Sequence, residues 1–150
     1  MFFSNVVVMG AAGSTGAGPT VPPQKDVVYL YSDPGNSVCQ WEFTPVAGTT
    51  DTYNIGNVAY KTKSLAYLVK TTDANTGSGP KVFFGNDPKL QMCQWILKPV
   101  KAGENLYTVQ NVFSKTKGTA SYISTDGSTQ YPTLLDDPND IKTHWHLNLA

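Results

Sequence analysis

The chain has 150 residues, enough for one domain with a sizeable hydrophobic core. Its 11 basic residues are all lysine and are balanced by 11 acidic residues, so the net charge is zero. Because nucleic acids and anionic membrane surfaces attract proteins that carry excess positive charge, this composition argues against both kinds of partner.

An apolar run opens the chain, from Met1 to Gly10. It lacks the basic start of a secretory signal and is interrupted by Asn5, so we expect a structural strand there instead. No apolar run reaches the roughly 18 to 20 residues that a membrane-spanning helix needs. The two cysteines, Cys39 and Cys93, are too few for a disulfide scaffold. We therefore expect a cytoplasmic protein with reduced thiols, and unconventional secretion is left open.

A unit of about fifty residues recurs along the chain and is marked by its tryptophans. Trp41, Trp95 and Trp145 each follow an Asp-Pro pair whose Asp lies eight residues earlier. Asp and Pro together favour a tight turn, because the Asp side chain bonds nearby backbone groups and Pro presets φ. We therefore predict a turn before each Trp strand. The repeats cover approximately residues 1–50, 51–104 and 105–150, within one domain of residues 1–150.

A second block marks the first strand of a repeat. Residues 53–58, Tyr-Asn-Ile-Gly-Asn-Val, match residues 107–112, Tyr-Thr-Val-Gln-Asn-Val, and both blocks begin twelve residues after a Trp. At the start of the chain, Asn5 and Val6 match the last two residues of this block, which puts Met1 at the Tyr position. The apolar start of the chain is therefore predicted to be the first strand of repeat one.

Four strands are predicted in each repeat, in a fixed order. The first and fourth show period-two alternation, and the fourth places the Trp and the residues two before and two after it on one apolar face. The second strand is predicted at residues 65–69 and 120–124, and the third at residues 28–31, 82–84 and 133–135. Twelve strands in threefold repetition can close an antiparallel sheet and hide its edges, so we predict an all-β fold.

Three units of this kind, each ending in an apolar-x-Trp-x-apolar strand after a turn, resemble a β-trefoil, and the resemblance covers the whole chain. Within that fold, the Tyr-x-Ile-x-Asn-Val block, the Pro-rich loops and the Trp strands resemble small fungal β-trefoil proteins. These include the mycocypin inhibitors of cysteine proteases, the related fungal serine-protease inhibitors and the fungal ricin-B-type lectins. The resemblance implies twelve strands in three pseudo-threefold repeats, and a binding function rather than an enzymatic one.

Residues with catalytic or metal-binding chemistry are few. His144 and His146 flank Trp145 and lie on the opposite strand face, which favours outward polar residues over metal ligands. Cys39 and Cys93 lie two residues before a Trp, on the apolar face, where a thiol is an inert core residue. We therefore predict no catalytic residue, no metal and no cofactor.

A loop rich in Gly and Pro follows the first strand of repeat one, from Gly10 to Pro23. Its first part is small and flexible, and prolines stiffen its second part. The resemblance to mycocypins implies that such a loop enters the cleft of a papain-like protease. A preorganised loop binds without a large ordering cost, which favours inhibition. The predicted contact residues are Gly13, Ser14, Thr15 and Gly16.

The equivalent loops of repeats two and three carry lysines instead. An exposed Lys on a rigid loop can fill a trypsin-like pocket by charge complementarity, and the resemblance to fungal serine-protease inhibitors implies that use. The alternative is that lysines at hairpin tips keep the sheet edges soluble. The predicted protease contacts are Lys61, Lys63, Lys115 and Lys117.

A sugar-binding alternative starts from the Trp strands. Ricin-B-type lectins carry Gln two residues before the Trp, whereas this chain has Cys or Thr there, so their sugar site is not carried over. Loop residues Asp73, Asn75 and Asp126, beside an aromatic side chain, are predicted to bind sugar, and otherwise they are ordinary turn residues. The first hypothesis is therefore a protease inhibitor, the alternative is a glycan-binding lectin, and a third is a storage or defence protein.

Overall fold

The computed structural model describes the chain as strands joined mainly by short turns. The residues it describes are 5–11, 37, 40–59, 67–71, 81–85, 87–124 and 132–149. All structural statements below refer to these residues. The strand predicted at residues 28–31 lies outside them.

Antiparallel β-strands dominate the described residues. In chain order these strands are β1 Asn5–Ala11, β2 Gln40–Pro45, β3 Thr52–Asn57, β4 Tyr67–Thr71, β5 Lys81–Gly85, β6 Gln94–Pro99, β7 Leu106–Asn111, β8 Tyr122–Ser124, β9 Thr133–Leu135 and β10 His144–Leu149. One short helix, α1, covers Val112–Thr116, and 3-10 turns cover Gln91–Cys93 and Ile141–Thr143. The all-β prediction is confirmed, and the described residues supply ten of the twelve predicted strands.

Six of these strands close into a ring. The order of pairing is β1, β2, β3, β6, β7 and β10, and β10 pairs back with β1. The hairpin of β4 and β5 is attached to β3, and the hairpin of β8 and β9 is attached to β7. Closing the ring pairs both sides of every strand in it, which removes the open edges that would otherwise invite aggregation.

The three Trp strands occupy equivalent positions in the ring, and each Trp pairs with the first strand of a repeat on either side. On one side the pairs are Trp41 with Val7, Trp95 with Tyr53 and Trp145 with Tyr107. On the other side the pairs are Trp41 with Asn57, Trp95 with Asn111 and Trp145 with Ala11. The predicted pseudo-threefold arrangement of the repeats is therefore confirmed.

This register corrects the predicted alignment of the first strand of repeat one. The Asn-Val match predicts Met1 at the position of Tyr53. In the structure Val7 holds that position, six residues later, and Gly10 holds the position of Gly56. The prediction was wrong because a two-residue match is a local signal, whereas register is set by pairing with strands far away in sequence.

Hydrophobic side chains from all three repeats form one buried cluster. Its members are Trp41, Phe43, Ile55, Val82, Trp95, Val109, Ile123, Leu134 and Trp145. Trp95 and Trp145 are the largest of its fully buried side chains and are at most 1% exposed. The indole Nε1 of Trp145 donates to the carbonyl of Ile123 at 2.9 Å, so its one polar atom is satisfied inside the core.

Apart from β1, the boundaries of the strands lie within two residues of the predictions. The third strand predicted at residues 133–135 coincides with β9. The Trp strands β6 and β10 begin one residue later than predicted, because Cys93 and Thr143 end 3-10 turns. After β7 the chain forms α1 instead of the predicted loop. Among the described residues, no helix is both long and apolar enough to cross a membrane.

Candidate functional site

The Asp-Pro turns lead from the third strand of a repeat into its Trp strand. The Asp87 carboxylate accepts the backbone N–H of Lys89 at 3.0 Å, and the Asp137 carboxylate accepts that of Asn139 at 2.8 Å. These contacts confirm, for repeats two and three, the predicted role of Asp as the cap of its own turn. The copy in repeat one, Asp33-Pro34, lies outside the described residues.

The proline carbonyl of each turn accepts a hydrogen bond from a side chain of the same repeat. In repeat two the amide Nδ2 of Asn54 donates to the carbonyls of Pro88 and Cys93, at 2.9 and 3.0 Å. In repeat three the ring Nε2 of His144 lies 3.0 Å from the carbonyl of Pro138. Both turns are therefore fixed to the ring by side-chain contacts rather than by backbone pairing alone.

The two histidines lie on the strand face opposite Trp145, as predicted. His144 is partly buried against its turn, whereas His146 is exposed. Within the part of the chain that the structure describes, no three or more His, Cys, Asp or Glu side chains come together in a group able to hold a metal ion. The contact with the turn gives His144 a structural role.

Cys93 is a core residue, as predicted, with 1% of its surface exposed. Burial raises the pKa of its thiol, and a backbone hydrogen bond at Asp87 opposes that rise only in part. The thiolate needed for nucleophilic attack is therefore disfavoured. Cys39, the other predicted core thiol, lies outside the described residues.

Lys115 and Lys117 lie on and just after α1, and both are exposed. The helix starts because Asn111 caps it, accepting the backbone N–H of Ser114 at 3.1 Å. The ammonium of Lys117 lies 5.6 Å from the centre of the Phe113 ring, a cation–π distance. The segment is thus helical, whereas a peptide that pairs by main-chain hydrogen bonds must be extended. Protease contact through these lysines remains a prediction.

The other predicted contacts fall in segments outside the described residues. For protease binding these are Gly13, Ser14, Thr15, Gly16, Lys61 and Lys63, and for sugar binding they are Asp73, Asn75 and Asp126. The strands next to the sugar-binding set are described. β4 runs directly into the segment that holds Asp73 and Asn75, and β8 runs directly into the segment that holds Asp126.

An outward-facing row of side chains crosses β7, β8 and β9. Gln110 pairs with Tyr122, and Tyr122 pairs with Leu135. The neighbouring residues Ile123 and Leu134 are buried in the core, so alternation along the strands places the row on the other face. Tyr122 and Leu135 are both partly exposed. An aromatic ring therefore lies partly exposed at the surface, on the strand that precedes the segment with Asp126 in the sequence.

The Gln110 side chain is held rigidly next to this ring. Its Nε2 donates to the hydroxyl of Ser121 at 2.9 Å, and both residues are buried, at 9% and 4% exposure. This contact uses one of the two N–H donors of Nε2, so the second N–H and the carbonyl oxygen Oε1 keep hydrogen-bonding capacity for a bound hydroxyl group. A fixed amide beside a partly exposed ring is the combination of polar and aromatic groups that small-molecule sites use.

The same register occurs in repeat two. There Gly56 pairs with Tyr67, and Tyr67 pairs with Gly85, across β3, β4 and β5. Tyr67 thus holds the register position in repeat two that Tyr122 holds in repeat three. The cross-strand neighbours differ, since glycine replaces both Gln110 and Leu135.

The sequence predicted an aromatic side chain beside the sugar-binding loop residues but did not identify Tyr122. A signal was present, because Ala66-Tyr67-Leu68 and Ser121-Tyr122-Ile123 share a small residue, a Tyr and an aliphatic residue. Gln110 could not be found in this way. Its place beside Tyr122 depends on pairing between β7 and β8, which ten intervening residues separate in the sequence.

Comparison with known proteins finds likeness in structure only. No family model matches the chain, and no curated protein matches it. A salivary protein from Culex quiquefasciatus, of the Cysteine and Tryptophan-Rich family, has a TM-score of 0.69 at 16% identity and covers 100% of this chain and 96% of its own. The apo BEL beta-trefoil has a TM-score of 0.60 at 13% identity, over 97% of this chain and 93% of its own. The fold is a β-trefoil.

A lectin is also among the structures that this trefoil resembles. The Polyporus squamosus lectin, solved with a human-type influenza-binding epitope that carries Neu5Ac, has a TM-score of 0.67 at 15% identity. The match covers 96% of this chain and 48% of the lectin chain. At these identities the comparisons establish the trefoil fold. The closer resemblance to mycocypins and fungal protease inhibitors remains a prediction.

Proposed function

We propose that this trefoil is a non-enzymatic protein that binds carbohydrate through the hairpin of β8 and β9. The observation that carries the proposal is the pair formed by Gln110 and Tyr122, a rigidly held amide beside a partly exposed aromatic ring. A pyranose ring has an apolar C–H face and a rim of hydroxyl groups. The tyrosine ring can pack against the C–H face, and the amide oxygen can accept hydrogen bonds from the hydroxyl groups.

Charge and position are consistent with this role. The segment after β8 holds Asp126, whose carboxylate can accept hydrogen bonds from sugar hydroxyls. The closed ring beneath the hairpin is a rigid support, so a bound sugar does not have to order the protein. The lectin among the structural neighbours adds support from the fold alone, because that protein was solved with a glycan.

Protease inhibition is the competing function, and the described residues favour it less. Lys115 belongs to a helix and Lys117 follows it in a helical backbone conformation, so neither presents an extended segment to a protease cleft. The loop with Gly13 to Gly16 lies outside the described residues. A rigid trefoil suits either function, so both must be measured on the same preparation.

The test begins with the purified, labelled chain on a glycan array, followed by calorimetric titration with the best monovalent glycan. We expect binding, and Tyr122→Ala should weaken it about tenfold, because it removes the apolar ring on which the pyranose packs. Tyr122→Phe keeps the ring and should lie between the two. Lys101→Ala, in the exposed loop between β6 and β7, is the control and should bind like the original chain.

The same preparation also tests the competing function, protease inhibition. Titration of papain and trypsin with the same preparation should leave both enzymes active. A silent array together with stoichiometric inhibition of either protease would overturn the proposal and restore protease inhibition. Thermal melting of each variant shows whether a loss of binding reflects the site or the fold.

A further inference from the structure

The outward row of Gln110, Tyr122 and Leu135 ends beside an acidic residue. Asp136 directly follows Leu135, and Leu135 pairs with Tyr122. Consecutive Cα atoms are about 3.8 Å apart and paired residues about 5 Å apart, so the backbone of Asp136 lies within about 10 Å of that of Tyr122. A charge at this position therefore acts on any ligand that packs on the tyrosine ring.

The Asp136 carboxylate is available to a ligand. Asp136 is exposed, and in the described part of the chain its side chain takes part in no ion pair or hydrogen bond. The next residue, Asp137, uses its carboxylate within the turn, where it accepts the backbone N–H of Asn139 at 2.8 Å. Of these two adjacent acids, Asp136 is therefore the one whose carboxylate faces solvent without a partner.

The amide of Gln110 adds an acceptor to the same row. Among the described residues its side chain contacts only Ser121, through Nε2, so Oε1 has no partner there. No described side-chain nitrogen or oxygen is both fully buried and without a hydrogen bond, so Oε1 reaches the surface. A carbonyl oxygen can pair with a sugar hydroxyl, whereas a carboxylate has no proton to donate to it.

The lysines on neighbouring elements lie farther from the row along the chain. Three of them are described and exposed: Lys115, Lys117 and Lys142. Lys117 precedes Tyr122 by five residues, and its ammonium lies 5.6 Å from the centre of the Phe113 ring. Asp136 is adjacent to the row, so the charged residue nearest to the site in the sequence is negative.

We infer that this site takes neutral sugars and rejects acidic ones, and that Asp136 is the residue that sets this selectivity. The inference rests on the proposed function, because it concerns a sugar packed on Tyr122. Two like charges about 8 Å apart near a protein surface repel enough to lower an affinity about fivefold at low salt. The ligand class is then an uncharged hexose rather than a uronic or sialic acid.

The experiment uses two ligands that share a ring and differ in charge. One is the terminal hexose of the best glycan on the array, and the other is its uronic acid, in which a carboxylate replaces the hydroxymethyl group. Calorimetric titration at low salt should show about fivefold tighter binding of the hexose. Asp136→Asn should remove most of this preference by raising the affinity for the acid, and should leave the affinity for the hexose unchanged.

Glu104→Gln is the matched control, because it removes the same charge from another exposed residue. Glu104 lies before Leu106, at the start of β7, which is about 13 Å along the strand from Gln110. We expect this variant to keep the preference of the original chain. Thermal melting of both variants shows whether each one is folded.

Salt gives a second readout that needs no variant. Raising NaCl from about 0.01 M to about 1 M shortens the Debye length from about 30 Å to about 3 Å, so the preference for the hexose should disappear. A preference that salt does not change would show selection by shape and overturn the inference.

Three further results would overturn the inference while leaving carbohydrate binding in place. They are selection of an acidic glycan on the array, equal affinity of the original chain for the two ligands, and equal effects of Asp136→Asn and Glu104→Gln. Absence of binding to any glycan would instead refute the proposed function itself.

Discussion

The Asp-Pro turns of repeats two and three share a backbone conformation and differ in the side chains that hold it. Both begin with an Asp cap and end in a 3-10 turn. In repeat two the proline carbonyl is bonded at 2.9 Å by Asn54, which lies on β3, and is contacted at 3.4 Å by Gln94, the residue opposite Asn54. In repeat three the residue at the position of Asn54 is Thr108, and His144, on the strand opposite, takes over the contact.

The comparison shows which feature of a trefoil repeat is fixed and which is free to vary. A buried carbonyl must have a donor, because leaving it unpaired costs about 1–3 kcal/mol. Asn54 donates from the first strand of repeat two, whereas His144 makes its contact from the Trp strand of repeat three. The fold thus specifies the acceptor and its place, and the sequence is free to supply the donor from either strand.

The largest expected effect tests whether the Trp residues of repeats two and three contribute equally to the free energy of unfolding. Trp95→Ala and Trp145→Ala should each lower the free energy of unfolding by about 3–5 kcal/mol, since each removes a side chain that is at most 1% exposed. Urea denaturation measures both. Leu90→Ala is the control, because Leu90 is 51% exposed and should change stability little. A loss below about 1 kcal/mol in either Trp variant would contradict equivalence.

A smaller effect on stability should distinguish the Asp-Pro turn of repeat two from that of repeat three. Asn54→Ala leaves the carbonyl of Cys93 without its side-chain donor and leaves that of Pro88 with only the longer contact from Gln94 Nε2 at 3.4 Å, so it should cost about 1–3 kcal/mol. His144→Ala removes one contact from a partly exposed ring and should cost less, about 0.5–1.5 kcal/mol, because the contact is only partly shielded from water. Equal losses in denaturant unfolding would show that the two donors are interchangeable in energy as well as in place.

The residue two before each Trp gives a finer comparison. Thr143 donates its hydroxyl to the carbonyl of Asp140 at 2.7 Å, whereas the equivalent residue in repeat two is Cys93. Thr143→Val keeps the shape and removes the donor, so we expect a loss of about 0.5–1.5 kcal/mol. Cys93→Val should be nearly neutral by the same measurement. A Cys93→Val loss as large as that of Thr143→Val would indicate that the thiol carries an equivalent hydrogen bond.

The smallest effect concerns the Cys93 thiol itself, studied with Cys39 replaced by serine. Burial raises the pKa of this thiol, so its contribution to stability is fully present below the pKa of the unfolded thiol and is lost as the pH rises through the folded value. We expect stability to fall as the pH rises above the pKa of the unfolded thiol, about 8.5, more than it does in the variant that also carries Cys93→Val. Iodoacetamide should alkylate the native thiol at least tenfold more slowly than the unfolded one. Equal alkylation rates would contradict burial.

Much of the fold can be predicted from the sequence because it depends on short patterns. The Asp-Pro pairs and Trp residues predict the turns and the ring strands, and period-two alternation places Trp145 and His144 on opposite faces. The position of β1 cannot be found in this way, because it is set by pairing with β2 and β10. The cap at Asn111 is a local signal that could have indicated α1.

The candidate site could be predicted only in part. Loop carboxylates such as Asp126 are visible in the sequence, and so is the need for an aromatic neighbour. The contact between Gln110 and Tyr122 joins two strands, so it appears only once the register is known. Lys115 was predicted to lie in a loop because the sequence of this segment does not distinguish a short helix from a hairpin turn.

The closure of the ring through β1 and β10 also bears on how quickly the protein folds. Val7 pairs with Leu149, so the ring is completed by joining residues from nearly opposite ends of the 150-residue chain. The entropy cost of closing so long a loop must be met before the contacts form, which places such topologies among domains that fold in milliseconds to seconds. Each repeat supplies only two of the six ring strands. We therefore expect the last step of folding to be a concerted closure of all three repeats rather than the addition of one repeat at a time.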